Sequence, residues 1–200
     1  MSKLNLKHED VLKFSDGYFG GNQIWFSDRY GKKHHSRTGC GIVAAANSMV
    51  YLAFTRSEYR DLYPFESLDK KSFSEFILLL SRYIKPRIYG IPTTSIIIRG
   101  IKRYTKGHGV SISNHNLSKI TDKRRIIEFI KTGLEMDTPV LNVNWNHKNK
   151  ILHNHWIAIT GINENLNQNN IVLSSWGEKY EINMNDYFFN TIYNGLLYFI

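Results

Sequence analysis

Cys40 is the single cysteine of this 200-residue chain. It sits in Thr38-Gly39-Cys40-Gly41 and opens a run of small and apolar residues, Ile42 to Leu52, that reads as a helix. Backbone N–H groups and the positive end of the helix dipole converge at such a position, and both favour a thiolate over a thiol. A lone thiol in that setting is a candidate nucleophile. Gly39 and Gly41 would let another backbone or a substrate come close to it. The plainer alternative is a small buried hydrophobe in an alanine-rich helix, which is what most free cysteines are.

A nucleophilic thiol needs a base, and the chain offers eight histidines. His155 opens an extended run, His155-Trp156-Ile157-Ala158-Ile159-Thr160-Gly161. A strand end holds a side chain rigidly at the rim of a sheet, where a helix N-terminus can meet it. His153 lies two residues earlier and would share its face if the strand already runs there, which makes it the second choice. His8, His108, His115 and His147 sit in polar, turn-like contexts and read as solvated. The plainer alternative for His155 is a sheet-edge histidine bonded to a carbonyl. His34 with His35, or His147 with His153 and His155, could approach zinc geometry. No second cysteine or H-E-x-x-H arrangement supports that, so no metal and no cofactor is expected.

The elements that must position these groups change type along the chain. Helical patterns run from Cys40 to about Phe54, Ser72 to Ile84, Ser95 to Tyr104, and Thr121 to Leu134, the last with Thr121 or Asp122 as N-cap. The polar stretch from Gly31 to Arg37 reads as a loop. Strand patterns follow at Pro139–Trp145, His155–Ile162, Ile171–Trp176, Tyr180–Asn183 and Gly195–Ile200. An Asn-rich turn spans Asn163 to Asn170, and a short helix lies around Asn185–Phe189. Helices first and an antiparallel sheet second make an α+β fold in one domain, residues 1–200, with a cleft between the two parts.

Composition bounds the function classes. An apolar fraction of 42% and a charged fraction of 22% suit a folded soluble domain. One cysteine cannot make an intramolecular disulfide, the N-terminus lacks the apolar core of a signal peptide, and no apolar run is long enough to span a bilayer. A cytoplasmic location is the default, with non-standard secretion left open. The net charge of +9 is spread over scattered lysines and arginines, without a basic tract interleaved with aromatics. That pattern fits a solvated basic face better than a nucleic-acid site.

Three pieces stand in one order: Gly39-Cys40-Gly41 opening a helix, His155 opening a strand, and Ser174-Ser175-Trp176-Gly177. In this the chain resembles the papain-like cysteine peptidases, and with Ala44-Ala45-Ala46 it is most similar to bacterial bacteriocin-leader peptidases. The resemblance implies a papain-like fold over roughly Lys33 to Tyr180. It implies a peptide or protein substrate and an acyl-thioester on Cys40, with His155 as base and then acid. The backbone N–H of Cys40 would serve an oxyanion hole, and Trp176 would shield the histidine's partner. The family's orienting Asn or Asp falls on Ser174, and its oxyanion glutamine on His34. Gln23 stands too far upstream to match that spacing. These two replacements leave three functions open: a cysteine hydrolase acting on peptide or amide bonds, a weak or inactive peptide-binding relative, and an amine-accepting acyltransferase.

Overall fold

The computed structural model describes residues 2–118, 122–146, 152–165, 169–188 and 191–200. The chain begins with a strand, β1 (Ser2–Asn5), and a 3-10 turn at Glu9–Leu12. Helices α1 (Trp25–Tyr30), α2 (Lys33–Thr38), α3 (Cys40–Thr55), α4 (Lys70–Leu80) and α5 (Thr94–Gly107) follow. Then come β2 (Asn114–Ser118), α6 (Lys123–Glu135), β3 (Val140–Asn146), β4 (His155–Glu164) and β5 (Asn169–Ser175). The chain closes with β6 (Glu178–Asn183), α7 (Met184–Phe188) and β7 (Thr191–Phe199).

Two helices start where the sequence supplies side-chain caps. The Asp69 side chain accepts from Ser72 N at 2.8 Å, so α4 begins ahead of the apolar pattern that reads from Ser72, and it ends at Leu80. Asp122 accepts from Arg124 N and caps α6; the other expected cap, Thr121, lies outside the described residues. Every residue of α3 from Cys40 to Ala53 is buried, as befits a helix apolar on all sides. The stretch from Gly31 to Arg37 is not a loop: most of it is α2. That segment has no apolar periodicity and is fixed from outside, the Gln23 side chain donating to Ser36 O at 2.8 Å.

All strand pairings are antiparallel, in the order β2-β7-β3-β4-β5-β6, and β1 pairs with the far half of β4. The fold is therefore α+β with an antiparallel sheet. It is not simply helices followed by strands: β1 and β2 come from the first part of the chain and were not legible in the pattern. The sheet is covered on both faces. One core joins α3, α4 and α5 to Leu141, Val143, Trp156, Ala158, Leu197 and Phe199. The other joins α6 and α7 to Val140, Ile157, Ile159, Leu173, Leu196 and Tyr198. From Trp156 to Ile159 odd and even residues of β4 thus face different cores, the period-2 alternation of a strand, until a register shift between Ile159 and Gly161 brings Ile162 to the side of Ile159.

One buried polar residue of α3 ties three segments together. The Asn47 carboxamide accepts from Gly21 N at 3.0 Å and donates to Ser174 Oγ at 3.2 Å. Ser174 Oγ in turn donates to Phe19 O at 2.9 Å. Gly20 lies so close that a Cβ there would stand 2.1 Å from Ser174 Oγ, and its φ of +70° is one that glycine adopts freely. Helix α3, the 19–23 loop and β5 are locked by this network. Asn47→Ala would leave Gly21 N–H and Ser174 short of partners inside the protein. It is expected to lower unfolding stability by about 2–3 kcal/mol, read from the midpoint of a urea titration.

Candidate functional site

The N-terminus of α3 meets the start of β4 at a narrow crevice. Cys40, His155, Gln23, Asn47, Ser174, Ser175 and Trp176 line it together with Val43, Ala44 and Trp156. Its open volume is about 10 Å³, room for about one water. Cys40 and His155 keep only 8% and 6% of their surface exposed. Gly41 explains how the helix comes so near the sheet: a Cβ there would be 2.9 Å from Ile91 Cδ1 and 3.1 Å from Trp156 Cδ1. Trp156 itself is pinned by its indole N–H, which donates to Ile91 O at 2.6 Å.

The outer nitrogen of His155, Nε2, lies 2.8 Å from Ser175 Oγ, not against Ser174. The pleat explains the choice. Ala158 pairs with Ser174, so Ser174 shares the face of Trp156 and Ala158 and turns toward α3. Ser175, one residue on, takes the face of His155. The expected orienting residue, Ser174, is therefore spent on Asn47 and Phe19, and its neighbour holds the imidazole. The parity of residues 155 and 175 is a signal for this pairing once the β4–β5 register is known.

Trp176 stacks flat on His155, with ring centroids 4.7 Å apart and planes 5° from parallel. It occupies the two-residue turn between β5 and β6 with φ +54°, followed by Gly177 at φ +79°. Positive φ at both positions is the backbone of a type I′ hairpin, and a tryptophan there costs of order 1 kcal/mol or more. Contacts with the 19–22 loop hold it: Asn22 Nδ2 donates to Trp176 O at 2.6 Å, Phe19 N to Gly177 O and Gly177 N to Gly21 O.

His34 and Gln23 exchange places relative to the sequence reading. His34 is exposed on α2, edge-on to His35 at 5.8 Å, and does not line the crevice. Gln23 does line it, because α1 and α2 fill the extra sequence between it and Cys40 and fold back. Its Nε2 donates to Ser36 O, while its buried Oε1 finds no partner. Of the other histidines, His153 bonds Asn154 outside the crevice and His147 lies outside the described residues. No cluster of three His, Cys, Asp or Glu side chains able to share a metal occurs among the described residues. No described helix is long and apolar enough to cross a membrane.

Burial dominates the electrostatics. Desolvation pushes the Cys40 thiol up from 9.0 to about 11, against the backbone N–H groups of Trp156, Gly41 and Cys40 itself, which pull it down. The helix N-terminus therefore does not make Cys40 a resting thiolate. Desolvation also lowers His155 from 6.5 to about 4. At neutral pH the crevice is lined by a thiol and a neutral imidazole. With the hydrogen on Nε2 and donated to Ser175, the lone pair is left on Nδ1. No protein-family model matches this chain, and no curated protein sequence is significantly similar to it.

Because His155 is neutral when folded and protonates more readily when unfolded, it supports the fold fully above pH 6.5. That support is lost as the pH falls through the window down to about 4. At about 1.4 kcal/mol per pH unit, the loss reaches about 3 kcal/mol. Urea titrations between pH 7 and 4 are expected to show this decline, and His155→Gln to flatten it. Trp176→Gly is expected to expose the imidazole and return its NMR titration midpoint toward 6.5.

Proposed function

We propose that the protein is a papain-like cysteine hydrolase that cleaves a peptide or amide bond through an acyl-thioester on Cys40. The observation that carries this reading is the meeting of Cys40, at the head of α3, with His155, whose ring is fixed on one side by Ser175 and on its face by Trp176. Nucleophile, base and a group that orients the base are the three parts that such chemistry needs.

Since the resting pair is neutral, Cys40 is activated only as it attacks. The thiol proton passes to Nδ1 of His155 while sulfur bonds the carbonyl carbon. The imidazolium then protonates the leaving amine, and water, activated by the neutral ring, releases the acid. Ser175 accepts from Nε2 throughout but carries no charge, so it stabilises the imidazolium less than a carboxylate would. Gln23 takes the role of side-chain oxyanion donor: Ser36 O uses one of its amide hydrogens and the second is left for substrate. The Cys40 backbone N–H supplies the other donor.

Two observations favour a second reading, a slow or inactive relative that binds peptides. The crevice is nearly closed, and Cys40 rests as a thiol rather than a thiolate. Acylation separates the two. An activated thioester or p-nitrophenyl ester is expected to acylate Cys40, seen as a mass increase that Cys40→Ala abolishes. Gln23→Ala is expected to slow turnover about a hundredfold and Ser175→Ala about tenfold. The rate should rise through about pH 4 and stay level through neutrality, following the His155 ionisation. Absence of any acylation from pH 5 to 9 overturns the hydrolase in favour of the binding module.

A further inference from the structure

The lip of the crevice carries a feature that the chemistry does not use. Arg87 and Gly90 exchange backbone hydrogen bonds of 2.8 and 3.1 Å and close a tight turn whose tip is Ile88 and Tyr89. These are 78% and 90% exposed, by far the most exposed large apolar side chains of the described residues. The turn is not remote. Gly90 packs against Thr38, the last residue of α2, and the next residue, Ile91, touches Gly41 and takes the indole hydrogen of Trp156. A rigid apolar tip in water beside a buried nucleophile is a cost that a bound partner would offset.

The turn and the α2 segment that leads into Cys40 carry exposed cations. Lys32, Lys33 and Arg37 are exposed on and beside α2, which is anchored to Gln23 and runs directly into Cys40; Arg87 is exposed on the turn. The sequence has no Asp or Glu between Asp28 and Glu58, and none between Glu75 and Asp122. Among the described residues no carboxylate forms an ion pair with any of these four cations, while Asp28 is held by Lys70. These four cations are thus unopposed by any described carboxylate, on the segments that lead to Cys40 and Gly41, and act on a chain that approaches there.

We propose that the site selects an extended peptide segment in which acidic residues flank a bulky apolar one, with the apolar side chain on Ile88–Tyr89 and the carboxylates on Lys32, Lys33, Arg37 and Arg87. This rests on the reading of Cys40 and His155 as the centre that acts on such a peptide, and it specifies what that centre is given. A nucleic acid would also be drawn by the cations. Tyr89 offers it one ring, but it has no use for Ile88, the other half of the tip.

Fluorescence anisotropy on the Cys40→Ala protein, with the full chain, tests binding apart from chemistry. The probes are a labelled peptide with Glu flanking Phe, the same peptide with Lys for Glu, the same with Ser for Phe, and a single-stranded oligonucleotide. The acidic apolar peptide is expected to bind at least tenfold more tightly than the other three, and more weakly as salt rises. Lys33→Glu with Arg87→Glu, or Ile88→Ser with Tyr89→Ser, is expected to remove that preference. The same substitutions in the chain that keeps Cys40 should leave its acylation by p-nitrophenyl acetate unchanged. Equal binding of all peptides, or tighter binding of the oligonucleotide, overturns the proposal while leaving the hydrolase reading intact. Selective binding without acylation overturns the hydrolase and leaves the peptide selectivity standing.

Discussion

The hydrogen bonds of Asn47 are the constraint on which the rest of the site depends. A carboxamide in the middle of an apolar helix is expensive unless every polar atom is paired. Here both of its ends are paired, with Gly21 N and Ser174 Oγ. Those two partners belong to segments far from α3 in sequence, so satisfying one buried side chain fixes the 19–23 loop and the end of β5 on the helix that carries Cys40. From the loop hangs Gln23, and from Gln23 hangs α2. From β5 come Ser175 and the strained Trp176 turn, which is itself bonded to the 19–22 loop. Gly20 has no space for a side chain because this junction is filled.

Burial then decides how the pair of reacting groups behaves. The end of α3 favours a thiolate at Cys40, but a helix terminus contributes at most about 2 kcal/mol. A rise from 9.0 to about 11 corresponds to about 3 kcal/mol in the opposite direction. Desolvation prevails, and it acts on His155 with the same sense, keeping both members uncharged. A separated thiolate and imidazolium in so dry a crevice would need mutual attraction large enough to repay the desolvation of two ions. The neutral pair avoids that cost at rest; under the proposed function it is incurred only when a substrate carbonyl can take up the charge.

How far the sequence reveals this depends on whether each feature is local. The α3 helix follows from its unbroken apolar run, and β3 to β7 follow from alternation and turn residues, as does the position of His155 at a strand start. What escaped was set by distant partners. Strand β1 has no apolar alternation of its own and exists because Ser2–Asn5 completes the edge of β4. Helix α2 has no apolar face and depends on Gln23. Ser174 and Ser175 are indistinguishable by composition, and only the register of β4 on β5 assigns one to the core and the other to the imidazole. Gln23 is hidden from any spacing argument because two helices intervene between it and Cys40.

The closed crevice and the exposed lip make sense together under the proposed function. A peptide cannot reach Cys40 through an opening that holds about one water without displacing Trp176, the Ile91 segment or the Gln23 loop. Such movement breaks hydrogen bonds and uncovers apolar surface, and binding at the reacting carbonyl alone offers little to offset it. Contacts made by remote parts of a substrate can be spent on that opening, so they appear in turnover rather than only in affinity. The exposed apolar tip and the four cations that no described carboxylate pairs are contacts of this kind. On this view the resting neutrality of Cys40 and His155 is not a defect of the site but a restriction. A small activated ester can still acylate the thiol, but cleavage of an unactivated peptide bond is reserved for chains that engage the lip.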